Sequence, residues 1–170
     1  MNNIHIREML ESDPEIISNA FLNQGWNKPT SQYIRYLQEV HYEKRTALIA
    51  EYNGEFAGYI TILWESDYPP FRTHGVPEIA DFNVLQKFQR QGIGSKLLET
   101  AEDYVAKRAS IVGIGVGLTA DYGAAQILYV KRGYIPDGLG ISHQGLQLSY
   151  GETTQVDDDL VLHFTKSVIK

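Results

Sequence analysis

The stretch QRQGIGSKLLETAEDY, residues 89–104, places two glycines directly before a run of helical periodicity. The start of a helix leaves backbone N–H groups without partners, and the helix dipole adds a positive potential there. Gly92 and Gly94 lack the Cβ atoms that would hold a phosphate away from those groups. We therefore predict that the turn binds an anion such as a diphosphate, although a Gly-x-Gly pair alone is also typical of a tight turn without a ligand. Side-chain donors around the anion are expected from Gln89, Arg90, Gln91, Ser95 and Lys96.

The composition limits the class of protein. A chain of 170 residues, 43% hydrophobic and 21% charged, is typical of one globular domain, which we expect to span residues 1–170. It contains no cysteine, which excludes disulfides, thiolate metal sites and a cysteine nucleophile. The net charge of -6 argues against a nucleic-acid partner and suits a cationic ligand better. The five histidines show no metal-ligand spacing, so no metal is expected.

The hydropathy pattern argues against a membrane partner. No apolar run approaches the roughly 20 residues that span a bilayer, and the first ten residues, MNNIHIREML, lack the basic and apolar regions of a signal peptide. We expect a cytoplasmic location.

Hydrophobic periodicity predicts the elements of the N-terminal half. NIHIRE alternates as a strand, and helical patterns follow from Pro14 to about Glu43 with one break near Gly25. The pair Asn53-Gly54, between TALIAEY and EFAGYITILW, favours a hairpin with a type I′ turn. The prolines of SDYPPFRTHGVP, residues 66–77, predict a loop.

The C-terminal half alternates strands with helices. The predicted order is strand 78–85, helix 92–109, strand 111–118, helix 123–132 and a last strand at 159–168. The first of these helices has one apolar stripe, formed by Ile93, Leu97, Leu98, Ala101, Tyr104 and Val105. A hairpin-led antiparallel sheet that continues into strand, helix, strand, helix indicates a mixed α/β class.

Three glycines of GIGVGL share one face of the predicted strand 111–118, which argues against a dinucleotide-binding loop there. Gly113, Gly115 and Gly117 leave room for a close neighbour. That neighbour is either a helix or the arm of a cofactor.

QRQGIG at residues 89–94 resembles the (Gln/Arg)-x-x-Gly-x-(Gly/Ala) signature of the GNAT superfamily of acyl-CoA-dependent N-acetyltransferases. AAQILYVKRGY at residues 124–134 is also similar to the family, and the likeness in motifs covers Glu78 to Tyr134. The resemblance implies a GNAT-like fold, with a central, mostly antiparallel twisted sheet, splayed parallel middle strands and helices on both faces.

The resemblance also implies acetyl-CoA as co-substrate. Its pyrophosphate is expected on the glycine turn and its pantetheine arm beside the backbone near Asn83 and Val84. Many relatives carry asparagine where this chain has Tyr122, so the usual side-chain contact with the arm is altered. The implied CoA-binding residues are Asn83, Val84, Gln89, Arg90, Gln91, Gly92, Ile93, Gly94, Ser95, Lys96 and Tyr122.

Acetyl transfer to an amine needs a base and gains from an acid. An alkylamine with a pKa near 10.4 is mostly protonated at pH 7, and the leaving thiolate must receive a proton. By resemblance, Glu78 is the candidate base, with Asp81 or a water chain as alternatives, and Tyr129 is the candidate acid facing the CoA sulfur. A solvated carboxylate at a strand start and a core tyrosine are the structural alternatives.

Two functions fit these residues. The first is an N-acetyltransferase that moves acetyl directly from acetyl-CoA to a primary amine of a small molecule or peptide in a ternary complex, since no cysteine is present to carry the group. The second is a non-catalytic CoA-binding sensor or scaffold of the same fold. Trp26, Tyr33 and Tyr36 border the implied acceptor pocket, although aromatics at helical spacing are more often core. The acceptor is not specified by the sequence, and the resemblance allows a homodimer.

Overall fold

The computed structural model describes residues 3–169. The elements in chain order are β1 (Ile4–Glu8), α1 (Asp13–Asn23), α2 (Thr30–His41), β2 (Arg45–Tyr52), β3 (Glu55–Leu63), α3 (Pro69–His74), β4 (Glu78–Val84), α4 (Ile93–Ala106), β5 (Ile111–Gly117), α5 (Gly123–Lys131), β6 (Ile135–His143), β7 (Leu146–Gln147) and β8 (Leu160–Ser167). Short 3-10 turns lie at Gln86–Phe88 and Ala120–Tyr122. This is the mixed α/β class that the sequence predicts.

The described residues form two compact units. The first contains residues 3–64 and 79–104, and the second contains residues 65–78 and 105–169. The first unit thus carries the glycine turn and most of β4, while Glu78 and Tyr129 belong to the second.

Strands of the first unit follow the order β1-β2-β3-β4. β1 pairs antiparallel with β2, from Ile4 opposite Tyr52 to Glu8 opposite Leu48. β2 and β3 form the predicted hairpin, and its turn residues Asn53 and Gly54 have φ of 52° and 84°. Two successive positive φ values are what a type I′ turn requires, so the turn prediction is confirmed.

The core of the first unit is built from the inner faces of α1 and α2 against the hairpin. Its buried members include Ile17 and Phe21 of α1, Tyr33 of α2, and Ile49 and Tyr59 of the hairpin. The predicted apolar stripe of α4 is buried apart from Tyr104, which is partly exposed and donates its hydroxyl to Glu8 at 3.0 Å. The two helices before the hairpin and the break between them agree with the sequence pattern.

A close approach within this unit occurs at Gly58 of β3. A Cβ added there would lie 2.5 Å from the carbonyl oxygen of Asn83 and 3.0 Å from Cα of Val84. Only glycine allows the backbones of β3 and β4 to come this near.

Strands of the second unit follow the order β5-β8-β6-β7, and the pairs β5·β8, β6·β8 and β6·β7 are antiparallel. The β5 glycines make room for rings: Cβ atoms on Gly113 and Gly117 would lie 2.2 Å from Phe71 of α3 and 2.4 Å from Tyr122. Gly115 faces Val161 and His163 of β8. The three glycines of β5 therefore have close neighbours, as predicted, and one neighbour, Phe71, belongs to helix α3.

The predicted loop at residues 66–77 is wrong, because Pro69–His74 forms α3. Pro69 and Pro70 lie in the first helical turn, where a missing N–H costs nothing, and Gly75, with a φ of 64°, ends the helix. The sequence interpretation also missed β6 and β7, whose residues are mostly exposed and lack clear alternation. Among residues 3–169, no helix is both long and apolar enough to cross a membrane.

Candidate functional site

The glycine turn leads into α4 with an open backbone. The first helical hydrogen bond runs from the N–H of Lys96 to the carbonyl of Gly92, at 3.0 Å, so the N–H groups of Ile93, Gly94 and Ser95 precede it. Gly92 has a φ of 83°, and no atom lies within 4 Å of the place where its Cβ would be. The first turn of α4 contains no acidic residue. These amides are therefore available to an anion.

The side chains around the turn suit the same role. Arg90 is exposed and adopts a φ of 62°, in the left-handed region that non-glycine residues seldom occupy. Gln89 donates to the carbonyl of Val84 at 3.3 Å, which ties the turn to the end of β4. Gly94 packs on Phe82, whose Cζ would lie 3.3 Å from an added Cβ. The conformation of the turn, the exposed cationic side chains and the available amides together suit a diphosphate such as that of coenzyme A.

A second feature of the first unit lies within β4, at Asp81. Its φ is 52°, again left-handed, and the strand is irregular at this point. Aspartate tolerates this conformation better than most residues because its short polar side chain bonds locally. The Asp81 side chain is 21% exposed, and its carboxylate lies at the centre of a polar cluster.

Hydrogen-bond donors surround both carboxylate oxygens of Asp81. Oδ2 accepts from the hydroxyls of Tyr36 and Tyr59, at 2.8 and 2.7 Å, and from the amide of Gln32 at 2.9 Å. Oδ1 accepts from the amide of Asn83 at 2.8 Å. A carboxylate has about four lone-pair positions, so these four donors occupy nearly all of its accepting capacity.

The tyrosines of this cluster are held as proton donors. Burial, with the charge of Asp81 as a second cause, raises the pKa of Tyr36 to about 12 and that of Tyr59 further. Tyr33 lies behind them, donates to the Tyr59 hydroxyl at 3.2 Å, and has its pKa raised mainly by burial. All three phenols stay protonated at neutral pH, and Tyr36 and Tyr59 hold the carboxylate in one orientation.

Lys28 completes the cluster with a positive charge. Its Nζ lies 3.8 Å from Oδ1 of Asp81 and donates to the Tyr59 hydroxyl at 3.4 Å, while the ring of Phe21 has its centroid 5.2 Å away. The carbonyl of Lys28 accepts a 2.7 Å hydrogen bond from the hydroxyl of Ser18 in α1. The Lys28 side chain is 22% exposed, so it is only partly shielded from solvent.

Glu78 begins β4 and has partners in the second unit. Its carboxylate accepts a short hydrogen bond from the hydroxyl of Ser66, and Oε1 lies 4.0 Å from Nε2 of His163. His163 is buried and stacks on Tyr68, with ring centroids 3.5 Å apart. Burial lowers the pKa of His163 to about 4, against a smaller opposing effect of Asp137, so the ring is neutral at pH 7 and does not form an ion pair with Glu78.

The buried neutral histidine makes stability depend on pH. Because the pKa of His163 falls from 6.5 unfolded to about 4 folded, the unfolded chain binds more protons between these values, and its protonation favours unfolding. We expect this group to leave the free energy of unfolding unchanged above pH 6.5 and to lower it, by at most about 3 kcal/mol, as the pH falls toward 4. Urea unfolding at pH 7 and 4.5 measures the loss.

A matched pair of variants isolates this effect. His163→Gln should lose less stability between the two pH values than wild type, whereas His41→Gln, at an exposed histidine, should behave as wild type does. Equal losses in both variants and in wild type would show that His163 does not carry the effect.

Tyr129 and Tyr122 also lie in the second unit. Tyr129 of α5 is 5% exposed, and burial is the main reason that its pKa is raised. Its ring centroid is 5.9 Å from that of Tyr134. Tyr122 packs on Gly117 and donates its hydroxyl to Asp158 at 3.0 Å.

The structure gathers some of the predicted residues and separates others. Residues 89–96 form the glycine turn and the first turn of α4, and Asp81 and Asn83 share a cluster with the predicted aromatics Tyr33 and Tyr36. Trp26 instead stacks on Phe21, with centroids 5.9 Å apart. Sequence reasoning missed Lys28, Gln32 and Tyr59. The spacing of Gln32 and Tyr36, one helical turn apart, was an available signal for Gln32, and Lys28 had none.

Within residues 3–169, no group of three or more histidine, aspartate or glutamate side chains is arranged to hold a metal ion.

Comparison with known proteins gives a family. The sequence model of the Acetyltransferase (GNAT) family matches residues 6–134. A curated relative, the S-alkylcysteine N-acetyltransferase of Bacillus subtilis (strain 168), is 32% identical over 97 residues, which are 54% of this chain and 52% of the relative. The chain thus matches about half the length of that protein.

Solved structures show the same fold over nearly the whole chain. A putative GNAT-family acetyltransferase from Desulfovibrio desulfuricans superimposes with a TM-score of 0.73, 14% identity, and coverage of 98% of this chain and 99% of the other. The ribosomal-protein-S18-alanine N-acetyltransferase of Escherichia coli superimposes with a TM-score of 0.70 and 17% identity, and the match covers 99% of this chain and 96% of the other. The spermidine/spermine N-acetyltransferase of Vibrio cholerae superimposes with a TM-score of 0.67 and 14% identity, and the match covers 97% of this chain and 92% of the other. The match over residues 6–134 and the shared fold show that this chain belongs to the GNAT acetyltransferase family.

Proposed function

We propose that this protein is an acetyl-CoA-dependent N-acetyltransferase that moves acetyl directly to a primary amine of a small molecule or peptide. The observation that carries the proposal is the start of α4, where three amides precede the first helical bond and an open Gly92 adjoins exposed cations. The same residues suit the diphosphate of coenzyme A. The proposal includes a single domain, a cytoplasmic location, and no nucleic-acid or membrane partner, and it leaves a homodimer open.

Binding of coenzyme A is assigned to the turn and the end of β4. The amides of Ile93, Gly94 and Ser95 would hold the diphosphate, and the exposed side chains of Arg90 and Lys96 would add charge. The backbone near Asn83 and Val84 is proposed to align the pantetheine arm, with Gln89, Gln91 and Tyr122 as further contacts. Acetyl-CoA supplies the activated thioester, and the chain supplies its orientation.

Proton transfer is assigned to two residues of the second unit. Glu78 would accept the proton that the amine loses when its nitrogen attacks, and Tyr129 would donate the proton that the departing thiolate takes. Burial keeps Tyr129 protonated, as a donor must be. Asp81 is a weaker candidate for the base, because four hydrogen-bond donors already occupy its oxygens. We propose that Asp81 contacts the acceptor instead.

Named relatives suggest the range of acceptors. The curated relative acts on S-alkylcysteine by its name, and the structural neighbours include enzymes named for a ribosomal-protein alanine and for spermidine or spermine. An amino-group acceptor is common to all of them, and it is what we propose for this chain.

Release of the CoA thiol tests the proposal. Purified protein, acetyl-CoA and a panel of free amino acids, polyamines and peptides should release thiol above the background without acceptor for at least one compound. Calorimetric titration with CoA, run alongside, separates the alternatives. Binding without any turnover would favour a non-catalytic CoA sensor, and neither binding nor turnover would refute the proposal.

Removal of the carboxylate at position 78 tests the base. We expect Glu78→Gln to lower kcat about 100-fold near pH 7, where the amine is mostly protonated, with a smaller loss at pH 9.5. Glu65→Gln, at the exposed Glu65, is the matched control and should retain wild-type rates. Equal activity of Glu78→Gln and wild type at both pH values would remove Glu78 from the mechanism.

A further inference from the structure

Lys28 and Asp81 form a long, partly exposed ion pair. The 3.8 Å separation between Nζ and Oδ1 is long for a hydrogen-bonded pair, and both side chains remain about one-fifth exposed. Lys28 is instead supported by the Tyr59 hydroxyl and the faces of Phe21 and Tyr59. A ligand that carries both signs of charge and replaces this contact would leave neither group unpaired.

The hydrogen bonds that Asp81 already accepts limit where the ammonium of such a ligand can bind. Oδ2 is taken by Tyr36, Tyr59 and Gln32, so only the side of Oδ1 that faces Lys28 is open to exchange. An ammonium group that binds there must take the place of the Lys28 ammonium. Lys28 then needs a new anion, since Asp81 is the carboxylate with which the structure pairs it.

From these contacts we propose that the acceptor is a free α-amino acid, whose ammonium binds Asp81 and whose carboxylate binds Lys28. The inference rests on the N-acetyltransferase function proposed above and names its substrate class. In an α-amino acid the nitrogen and the carboxyl carbon are both bonded to Cα, so the two charges lie side by side as the Lys28–Asp81 pair does. The ion pair between Lys28 and Asp81 is thereby replaced by two ion pairs with the ligand, one at each residue.

Other amines meet a penalty at this pair. A polyamine at Asp81 would bring a second cation beside Lys28 with a single carboxylate to share, and like charges in a partly buried site repel. The terminal amine of a peptide has a neutral amide where the free amino acid has its carboxylate, so Lys28 would lose its anion. Selectivity for the free carboxylate follows from the charge on Lys28.

The position of Lys28 supports a fixed role. Its carbonyl is bound by the hydroxyl of Ser18, and Pro29 follows it with an extended backbone just before α2. The start of the side chain is thereby held from two directions. Lys28 is a specificity residue in this proposal, and it takes no part in proton transfer.

Acceptor pairs that differ only in the carboxylate test the proposal. Thiol release is measured for the standard L-amino acids and S-methyl-L-cysteine, for the carboxamide of each active one, and for spermidine. We expect kcat/KM for the best amino acid to exceed that of its carboxamide by about 30-fold, the size of one charge-assisted contact. Equal use of acid and amide, or a preference for spermidine, would overturn the inference while leaving the acetyltransferase function intact. No turnover with any acceptor would instead refute the proposed function.

A lysine variant locates the effect. Lys28→Met keeps the apolar stem over Phe21 and removes the charge. It should raise KM for the amino acid about 30-fold, leave kcat within about threefold, and leave kcat/KM for the carboxamide unchanged. Lys44→Met, at an exposed lysine of the same unit, is the control and should match wild type. An equal loss with acid and amide would assign Lys28 a structural role and contradict the proposal.

Discussion

Alanine at position 58 is expected to lower the free energy of unfolding by about 3 kcal/mol, a large effect for the addition of one methyl group. The new Cβ would meet the Asn83 carbonyl oxygen at 2.5 Å and Cα of Val84 at 3.0 Å. Both are backbone atoms of a strand, so neither can move away as the end of a flexible side chain could. β3 and β4 would have to separate locally, with loss of packing around them.

The separation of β3 and β4 in this variant should also displace residues of the candidate CoA site. Asn83 and Val84 follow Asp81 in β4, and the carbonyl of Val84 holds Gln89 of the glycine turn. We therefore expect Gly58→Ala also to weaken CoA binding, measured by calorimetry, by about tenfold. Gly123→Ala is the matched control: its Cβ would meet no atom within 4 Å and its φ is -56°, so it should be neutral or stabilising by about 0.5 kcal/mol. Similar stabilities for the two variants would contradict the close approach of β3 and β4.

Asparagine at position 81 is expected to lower kcat/KM for the amine acceptor at least about 100-fold, because it removes the charge that we propose holds the ammonium. Asparagine keeps the shape of aspartate and tolerates the left-handed φ of 52°. One side-chain oxygen can still accept from Tyr36, Tyr59 and Gln32. The new NH₂ group would then face the amide of Asn83 and the ammonium of Lys28, which are both donors.

The steady-state constants and the unfolding curve together identify the cause. The loss should lie mainly in KM for the acceptor, with CoA affinity unchanged and the free energy of unfolding lower by about 1–2 kcal/mol. Asp159→Asn, at an exposed aspartate, should leave all three quantities at wild-type values. A kcat that falls while KM for the acceptor stays constant would make Asp81 the base and displace Glu78 from that role.

Elements with local signals could be predicted from the sequence. The hairpin followed from Asn53-Gly54, the helices from their apolar stripes, and the glycine turn from its position ahead of α4. The helix at Pro69–His74 was missed because prolines interrupt helices in general but are compatible with a first turn. β6 and β7 were missed because exposed strands lack the alternation that marks a buried face.

The polar cluster at Asp81 depended on contacts that the sequence does not encode locally. Asp81 accepts from Tyr36, which is 45 residues away, and from Tyr59, which is 22 residues away. Tyr33 and Tyr36 are both core residues; Tyr36 also donates to the carboxylate of Asp81, and Tyr33 donates to Tyr59. Their place beside an acceptor pocket stays a prediction. Lys28 could not be foreseen at all, because a lone lysine in a connecting segment carries no pattern.

The hydrogen bond from Ser18 to Lys28 has a consequence for engineering. It uses the main chain at position 28, so it does not depend on which side chain is present there. If Lys28 recognises the acceptor as proposed, single substitutions at position 28 would change acceptor preference while the local backbone and β4 stay as they are.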